Sequence, residues 1–243
     1  MALNAISTSG FSQVNPTDSA INIPMFSATY ALQFPGGDMA DRFGANSNIG
    51  GTFSVKTKSQ WFYGVSGGFL FSDNVKETDV IDGLRISNGE IIDQNGEYAL
   101  VTLMQRGFSF HGHFGRLFPL GFGNPNSGIL VTAGAGFLQH KIRFAVEGNL
   151  APQLRDEYVK GYDRLSNGFS TNQFIGYFFT GDSRLINFYA GVDFTQAFTQ
   201  NRRSYNFDTM GPDDTQRTDL FYGIRLGWVI PIYKRATNDI YYY

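Results

Sequence analysis

Three histidines, one carboxylate and one guanidinium are the side chains whose types and spacing come nearest to a chemical site in this sequence. His111 and His113 are two apart, so in an extended segment both imidazoles point to the same side. A chain reversal centred near Phe122 would set His111 opposite Gly134 and His140 near Gln105. That separates His140 from His111 by about six residues, roughly 20 Å at the rise of a strand. Nitrogens so far apart do not gather on one metal ion, and two histidines alone are a weak ligand set. The expected use is structural, with imidazoles filling space and finding hydrogen-bond partners inside the fold. Asp193 and Arg225 are expected on neighbouring segments as an interior ion pair, an arrangement that serves packing more often than proton transfer. His111, His113, Asp193 and Arg225 thus make a candidate interior polar network. Ser72, Asp73 and His140 carry the side-chain types of a hydrolytic centre, but no motif ties them together. No catalytic residue is assigned, and neither a metal nor a cofactor is expected.

The segments that must hold these residues share one pattern. Near the C-terminus Tyr222, Ile224, Leu226, Trp228, Ile230 and Ile232 take every second position, while Gly223, Arg225 and Gly227 lie between them. In a strand one face is greasy and the other small or charged. The same alternation recurs after Pro24 and from about 49 to 56, 60 to 72, 104 to 118, 127 to 143, 168 to 180 and 186 to 197. Phe174 and Phe178 interrupt it in the sixth segment. Pro35-Gly36-Gly37-Asp38 is expected to end the first strand. For Thr52 and Ser54 to share the inner side with Phe62 and Gly64, the link near Thr57-Lys58-Ser59 must hold an odd number of residues, and three are expected. Pro152 to Tyr158 reads as a turn or two of helix in a connection.

Eight strands leave seven links, and these alternate long (34–46, 73–97, 144–167, 198–217) with short (57–59, 119–126, 181–184). That order, with greasy outer and polar inner faces, gives an all-β fold, an eight-stranded antiparallel up-and-down transmembrane β-barrel over residues 24–233. Residues 1–23 read as a polar arm outside it and 234–243 as a short tail, both on the short-turn side. The 29 Gly, 24 Phe and 13 Tyr with only 16% charged residues suit strands and aromatic girdles. No apolar run approaches the ~20 residues of a membrane helix, so a bilayer would be crossed by strands. A net charge of −2 with scattered Lys and Arg excludes a nucleic-acid partner. Cysteine is absent, which removes disulfides and thiolate metal sites. Met1-Ala2-Leu3-Asn4-Ala5 lacks the basic start and apolar run of a signal peptide, so an exported chain is expected to have lost its leader.

The course from Pro24 to Tyr233, and Gly227-Trp228-Val229-Ile230-Pro231-Ile232-Tyr233-Lys234-Arg235 above all, resembles the small outer-membrane β-barrel proteins abundant in Bacteroidota. Arg225-x-Gly227-x-x-Ile230-x-Ile232 resembles the closing-strand signature that such barrels present to the assembly machinery. The resemblance implies a bacterial outer-membrane location with both termini periplasmic, surrounded by membrane lipid and lipopolysaccharide. Members of this broad group include accessory subunits of outer-membrane protein assembly and of type IX secretion. The expected role is a non-enzymatic structural or accessory subunit that docks to other outer-membrane proteins. The alternatives are a narrow channel for small solutes and a lipid-modifying enzyme, since eight-stranded lipid acyltransferases combine His, Ser and Asp at the outer rim. Lys56, Phe62, His111, His113, Phe174, Tyr189, Asp193 and Arg225 are expected to point inward and fill the lumen. The segment 73–97 is acidic, whereas the short-turn side carries Lys56, Lys58, Arg116, Arg184, Lys234 and Arg235. Val80, Ile81, Leu84, Ile91 and Ile92 within that acidic loop are expected either to contact a partner or to stiffen the loop, and the first use is preferred.

Overall fold

The computed structural model describes Ala20 and residues 22–121, 124–149, 151–181 and 185–232. The arm expected before residue 20, the tail at 234–243 with Lys234 and Arg235, the Asp182-Ser183-Arg184 turn and the reversal at Phe122 lie outside the described residues.

Strands β1 (Ile23–Gly37), β2 (Asn46–Lys56), β3 (Trp61–Ser72), β6 (Val101–Phe118), β7 (Gly128–Val146), β8 (Ser166–Thr180), β9 (Asn187–Asn201) and β10 (Gln216–Pro231) form one closed antiparallel barrel. Each pairs with its neighbours in sequence, and β1 closes the ring on β10 with Met25 opposite Pro231. Two short strands, β4 (Ile91–Ile92) and β5 (Tyr98–Ala99), pair within the loop between β3 and β6. A five-residue helix, α1 (Asp38–Arg42), links β1 to β2.

The alternation in the sequence is the alternation of the wall. Along β10, Tyr222, Ile224, Leu226, Trp228 and Ile230 are exposed outward while Asp219, Phe221 and Val229 are buried inside. Phe174 and Phe178, which break the pattern in β8, also point inward, into an apolar plug with Ile23, Met25, Phe62, Leu117, Leu130, Tyr189 and Val229. The interior of an eight-stranded barrel is narrow enough for these side chains to close it.

Four expectations about the strands and links are corrected or sharpened. Thr57 N–H donates to Trp61 O (2.8 Å), so the β2–β3 turn holds three residues as expected, but they are Lys58, Ser59 and Gln60. Gln60 sits at φ 68°, the left-handed position that closes a three-residue hairpin loop. Strand β1 does not end at Pro35; it continues to Gly37 along β10, while its pairing with β2 stops at Gln33 opposite Asn46. Proline is tolerated there because the strand has only one neighbour at that level. As a result the link 38–45 is no longer than the one at 119–127, and the strict long–short alternation fails at its first member. Between β6 and β7 the register is two residues from expectation: His111 faces Gly136, and His140 faces Gly107. The described part of the Gly/Pro/Asn-rich connection holds a turn at 124–127, where Ser127 N–H donates to Asn124 O (3.0 Å), and cross-strand pairs such as Phe110 with Phe137 carry the register along the wall. In the connection after β7, the helical stretch is two 3-10 turns, Pro152–Leu154 and Tyr158–Gly161.

Candidate functional site

Inward residues converge on the middle of the lumen, where Arg225 of β10 donates from Nη2 to Asp193 Oδ2 of β9 (2.8 Å). The Asp193 side chain is fully buried, so the pairing compensates a charge that water cannot reach. Asn172 of β8 binds both, offering Oδ1 to Arg225 Nη1 (3.4 Å) and Nδ2 to Asp193 Oδ2 (3.3 Å) and to Thr195 Oγ1 (2.8 Å). His111 Nε2 meets Ser170 Oγ at 2.8 Å, and His113 Nε2 meets Ser54 Oγ at 3.0 Å. The structure therefore brings Arg225 and Asp193 into contact, while each histidine is held by its own serine. Register places these four residues on one inner surface; Ser54 is expected on that surface but not as a partner, and Ser170, Asn172 and Thr195, on the same strand parity, were missed as partners.

His140 lies nearer the loop end, four residues rather than six from His111 along the register, roughly 13 Å. Its Nε2 meets Asp219 Oδ2 at 2.9 Å, and Thr199 Oγ1 donates to the same carboxylate oxygen at 2.5 Å. Both members of the His140–Asp219 pair are fully buried, and Phe43 packs edge-on against the imidazole with ring centroids 5.7 Å apart. Asp219 was overlooked, though it lies on the inner parity with Gly223 and Arg225. The Ser72 hydroxyl binds Ala45 O (2.7 Å), and Asp73 faces Arg106 (3.6 Å), so Ser72, Asp73 and His140 do not assemble. Among the described residues no cluster of three or more His, Cys, Asp or Glu side chains could hold a metal ion.

The space left between these groups is small. One cavity of about 30 Å³ is bounded by Gln33, Asn48, His111 and Arg225, and another of about 40 Å³ by Ser54, His113, Phe174 and Arg225. Each has room for a very few water molecules. Arg225 stands between them, and the apolar plug closes the lumen at the turn end.

The loop end is closed by the chain's own connections. Met39 and Phe43 descend from the α1 link and are fully buried with Val80, Ile81, Ile91, Leu138, Ile142, Ala151, Leu154 and Phe221. Leu84 packs against this cluster half-buried, and Ile92 is half-buried in the β4–β5 ladder. Of the two uses expected for Val80, Ile81, Leu84, Ile91 and Ile92, contact with a partner and stiffening of the loop, burial favours the second: Val80, Ile81 and Ile91 are core, because a loop of that length covers more apolar surface by folding over the mouth than by standing in water. Ion pairs lace the same connections together. Arg42 binds Glu77 (2.9 Å), Glu77 also meets Arg164 (3.3 Å), and Arg164 pairs with Asp208, so one chain of charges joins four loops. Beside it Arg203 donates to Asp163 (2.7 Å), a hydrogen bond that raises the guanidinium pKa further and keeps it charged.

No family model and no curated protein matches this chain. Among solved structures it is similar to the Neisserial surface protein A (9% identity over 84% of this chain and 96% of that one, TM-score 0.40). It is also similar to Ail, the attachment invasion locus protein of Yersinia pestis (10% identity, 86% and 98%, TM-score 0.36). A third is the outer membrane protein OprG of Pseudomonas aeruginosa (12% identity, 88% and 98%, TM-score 0.34). The closed eight-stranded antiparallel barrel stands on this chain's own strand ladder.

Proposed function

We propose that this chain is a non-enzymatic barrel of a bacterial outer membrane, with both termini periplasmic, serving as a structural or accessory subunit of a multiprotein complex that assembles or secretes proteins. The observation that carries the membrane assignment is the wall itself, apolar outside around most of the ring and closed inside. Outward residues from Phe108 to Phe118 on β6 span about ten residues, roughly 33 Å along the strand and ~23 Å of height at a ~45° tilt, close to the apolar band of outer-membrane barrels. No helix among the described residues is long and apolar enough to cross a bilayer, so the crossing elements are strands. Membrane fractionation tests this: the protein should require detergent for extraction, and recovery in the soluble fraction would refute the assignment.

The plug and the cap argue against the channel. In a planar bilayer the purified protein should be silent, and reproducible unitary conductance would overturn that reading. Burial of His140 against Asp219, with no hydroxyl nucleophile on its ring among the described residues, argues against the lipid-modifying enzyme; fatty-acid release from phospholipid that is lost on His140→Ala would revive it.

The subunit role keeps one supporting feature after the apolar loop residues are withdrawn into the cap. At mid-height of the outer face Thr171 pairs across strands with Gln196, beside Gln173, Ala133, Ala135 and Gly112. Gln173 is exposed, and neither it nor Gln196 has a side-chain hydrogen bond among the described residues. Amides facing hydrocarbon call for a polypeptide partner, and small neighbours permit close approach. A photo-crosslinker at Gln173 should capture another membrane protein more strongly than one at the exposed Ile49 of β2, on the opposite side of the ring. Equal capture at both positions, with a clean monomer after gentle extraction, would remove the subunit reading.

A further inference from the structure

On the loop side of the outer wall, three rows of side chains are stacked on β6 to β9. The lowest is aromatic: Phe110 faces Phe137, Phe137 faces Phe169, and Phe169 faces Phe198. All four rings are exposed. Two residues higher, Gln139, Asn167 and Gln200 face one another in turn, forming a row of amides. Above these are cations, with Arg106 directly opposite Lys141 and Arg143 two residues beyond Lys141. Arg202 joins the shelf by donating from Nε to Asn167 Oδ1 (2.6 Å).

Like charges set directly across a pair of strands repel, so Arg106 beside Lys141 is a cost to the free protein. Local acids compensate it only in part. Arg106 meets the exposed Asp73 at 3.6 Å, and Lys141 meets Asp163 at 3.6 Å, although that carboxylate already accepts from Arg203. Arg143 is exposed and has no ion-pair or hydrogen-bond partner among the described residues. Strands β10 and β1, next along the ring from β9, show nothing comparable among the described residues: above Phe34 and Tyr222 come Gly36 and Leu220, then Thr218. The cationic shelf is therefore local to one flank, at the height where an apolar band gives way to headgroups.

We infer that this shelf binds the phosphate groups of a phosphorylated lipid of the outer leaflet, with Arg106, Lys141 and Arg143 on the phosphates, Gln139 and Asn167 on neighbouring hydroxyls, and the acyl chains along the phenylalanine row. Guanidinium and ammonium groups supply charge-assisted hydrogen bonds to phosphate, and the rings supply apolar contact below. The inference rests on the reading that the outer face meets hydrocarbon.

Binding of diphosphorylated lipid A to the full chain in mixed micelles, measured by native mass spectrometry, tests it. The wild type should retain this lipid in preference to its dephosphorylated form. The triple variant Arg106→Gln/Lys141→Gln/Arg143→Gln should bind on the order of a hundredfold more weakly, taking roughly fivefold per cation near an anionic surface. Arg85→Gln, which removes an exposed loop cation elsewhere, should leave binding unchanged, and a heat-shift gel checks that each variant is folded. Equal retention of both lipid forms, or wild-type binding by the folded triple variant, would overturn the site. Displacement of the lipid by millimolar inorganic phosphate would also overturn it, by showing a site for a free anion. A protein that never partitions into micelles refutes the membrane reading as well, whereas one that partitions without phosphate preference refutes the lipid site alone.

Discussion

At the turn end of the lumen, closure comes from side chains that point inward from their own strands: Phe62, Phe174, Phe178 and Tyr189 meet at ring distances of 5.2 to 6.3 Å. At the loop end it comes from connections that leave the wall, fold back and bury Met39, Phe43, Val80 and Ile81 above a fully buried His140–Asp219 pair. The first plug depends on local parity and the second on contacts between segments far apart in sequence, such as Arg42 with Glu77. Between them Arg225 and Asp193 occupy a middle that belongs to neither. Closure at one end does not need closure at the other, so loss of either should leave the barrel sealed.

The middle should be the most sensitive point. Arg225→Leu leaves the Asp193 carboxylate fully buried with only the Asn172 amide and should cost roughly 3–5 kcal/mol. Heat-modifiability on a gel reads the loss, and Arg225→Leu/Asp193→Leu should recover much of it because no charge remains unpaired. If the double variant were no more stable than the single one, the unpaired Asp193 carboxylate would not be the source of the loss.

Next comes the cap. Met39→Ala should destabilise by roughly 2–5 kcal/mol of local packing, since the side chain is fully buried among loop residues. That loss should be confined to the loop end. Protease cleavage within 73–100 should rise while the barrel remains resistant, and the variant should still not conduct, because the aromatic plug persists. Conductance from Met39→Ala alone would show that the turn-end plug does not close by itself.

A smaller effect separates the two faces of the wall. A Cβ at Gly136 would collide with the carbonyl oxygen of Phe110, whereas one at Gly112 comes no nearer than 3.9 Å to the Ala135 carbonyl oxygen. Gly136→Ala should therefore cost roughly 1–3 kcal/mol by overpacking, and Gly112→Ala should be neutral or stabilising by about 0.5 kcal/mol. Equal melting of the two variants would contradict the assignment of inner and outer surfaces.

These contrasts also explain what the sequence could tell. Strand faces were legible because a period of two is enforced at every residue of a wall that is apolar on one side, and parity alone places Arg225, Asp193, His111 and His113 inside. Phe174 and Phe178 looked like noise in that pattern and are the plug. Strand length beyond the apolar band was not legible: β1 runs through Pro35 because β10 still pairs with it, a long-range condition invisible in local composition. Nor was the cap. Val80, Ile81 and Ile91 read as an exposed contact surface because their burial depends on Met39, Leu154 and Phe221, which come from other segments. The partner of His140 lies across the lumen on β10, three strands from β7, a contact that no single strand pairing displays, yet Asp219 stood on the correct parity throughout.

The smallest effect distinguishes the cap from the wall by pH. Burial would push the Asp213 carboxyl up, but hydrogen bonds from Arg217 (2.6 Å) and from the Thr215 amide (3.1 Å) outweigh it and hold the group down to about 2. A carboxyl depressed in the folded state contributes stability that is present above its ordinary pKa near 3.8 and is lost as pH falls through about 2. The contact is a partly exposed i,i+4 pair, so its contribution is roughly 0.3–1 kcal/mol, enough to alter local opening of the 202–215 loop and too little to unfold the barrel. Pepsin reads this directly, with an unfolded reference chain correcting for its own pH profile. Cleavage within 202–215 should be slow at pH 3.5 and faster near pH 2, with the β9 and β10 walls uncut at both. Asp213→Asn should be cut at both pH values, because the amide cannot carry the charge that Arg217 requires. An unchanged loop in that variant would mean that the loop is held by the Arg164–Asp208 and Phe207–Gly161 contacts, and that the two ends of the barrel do not differ in their response to acid.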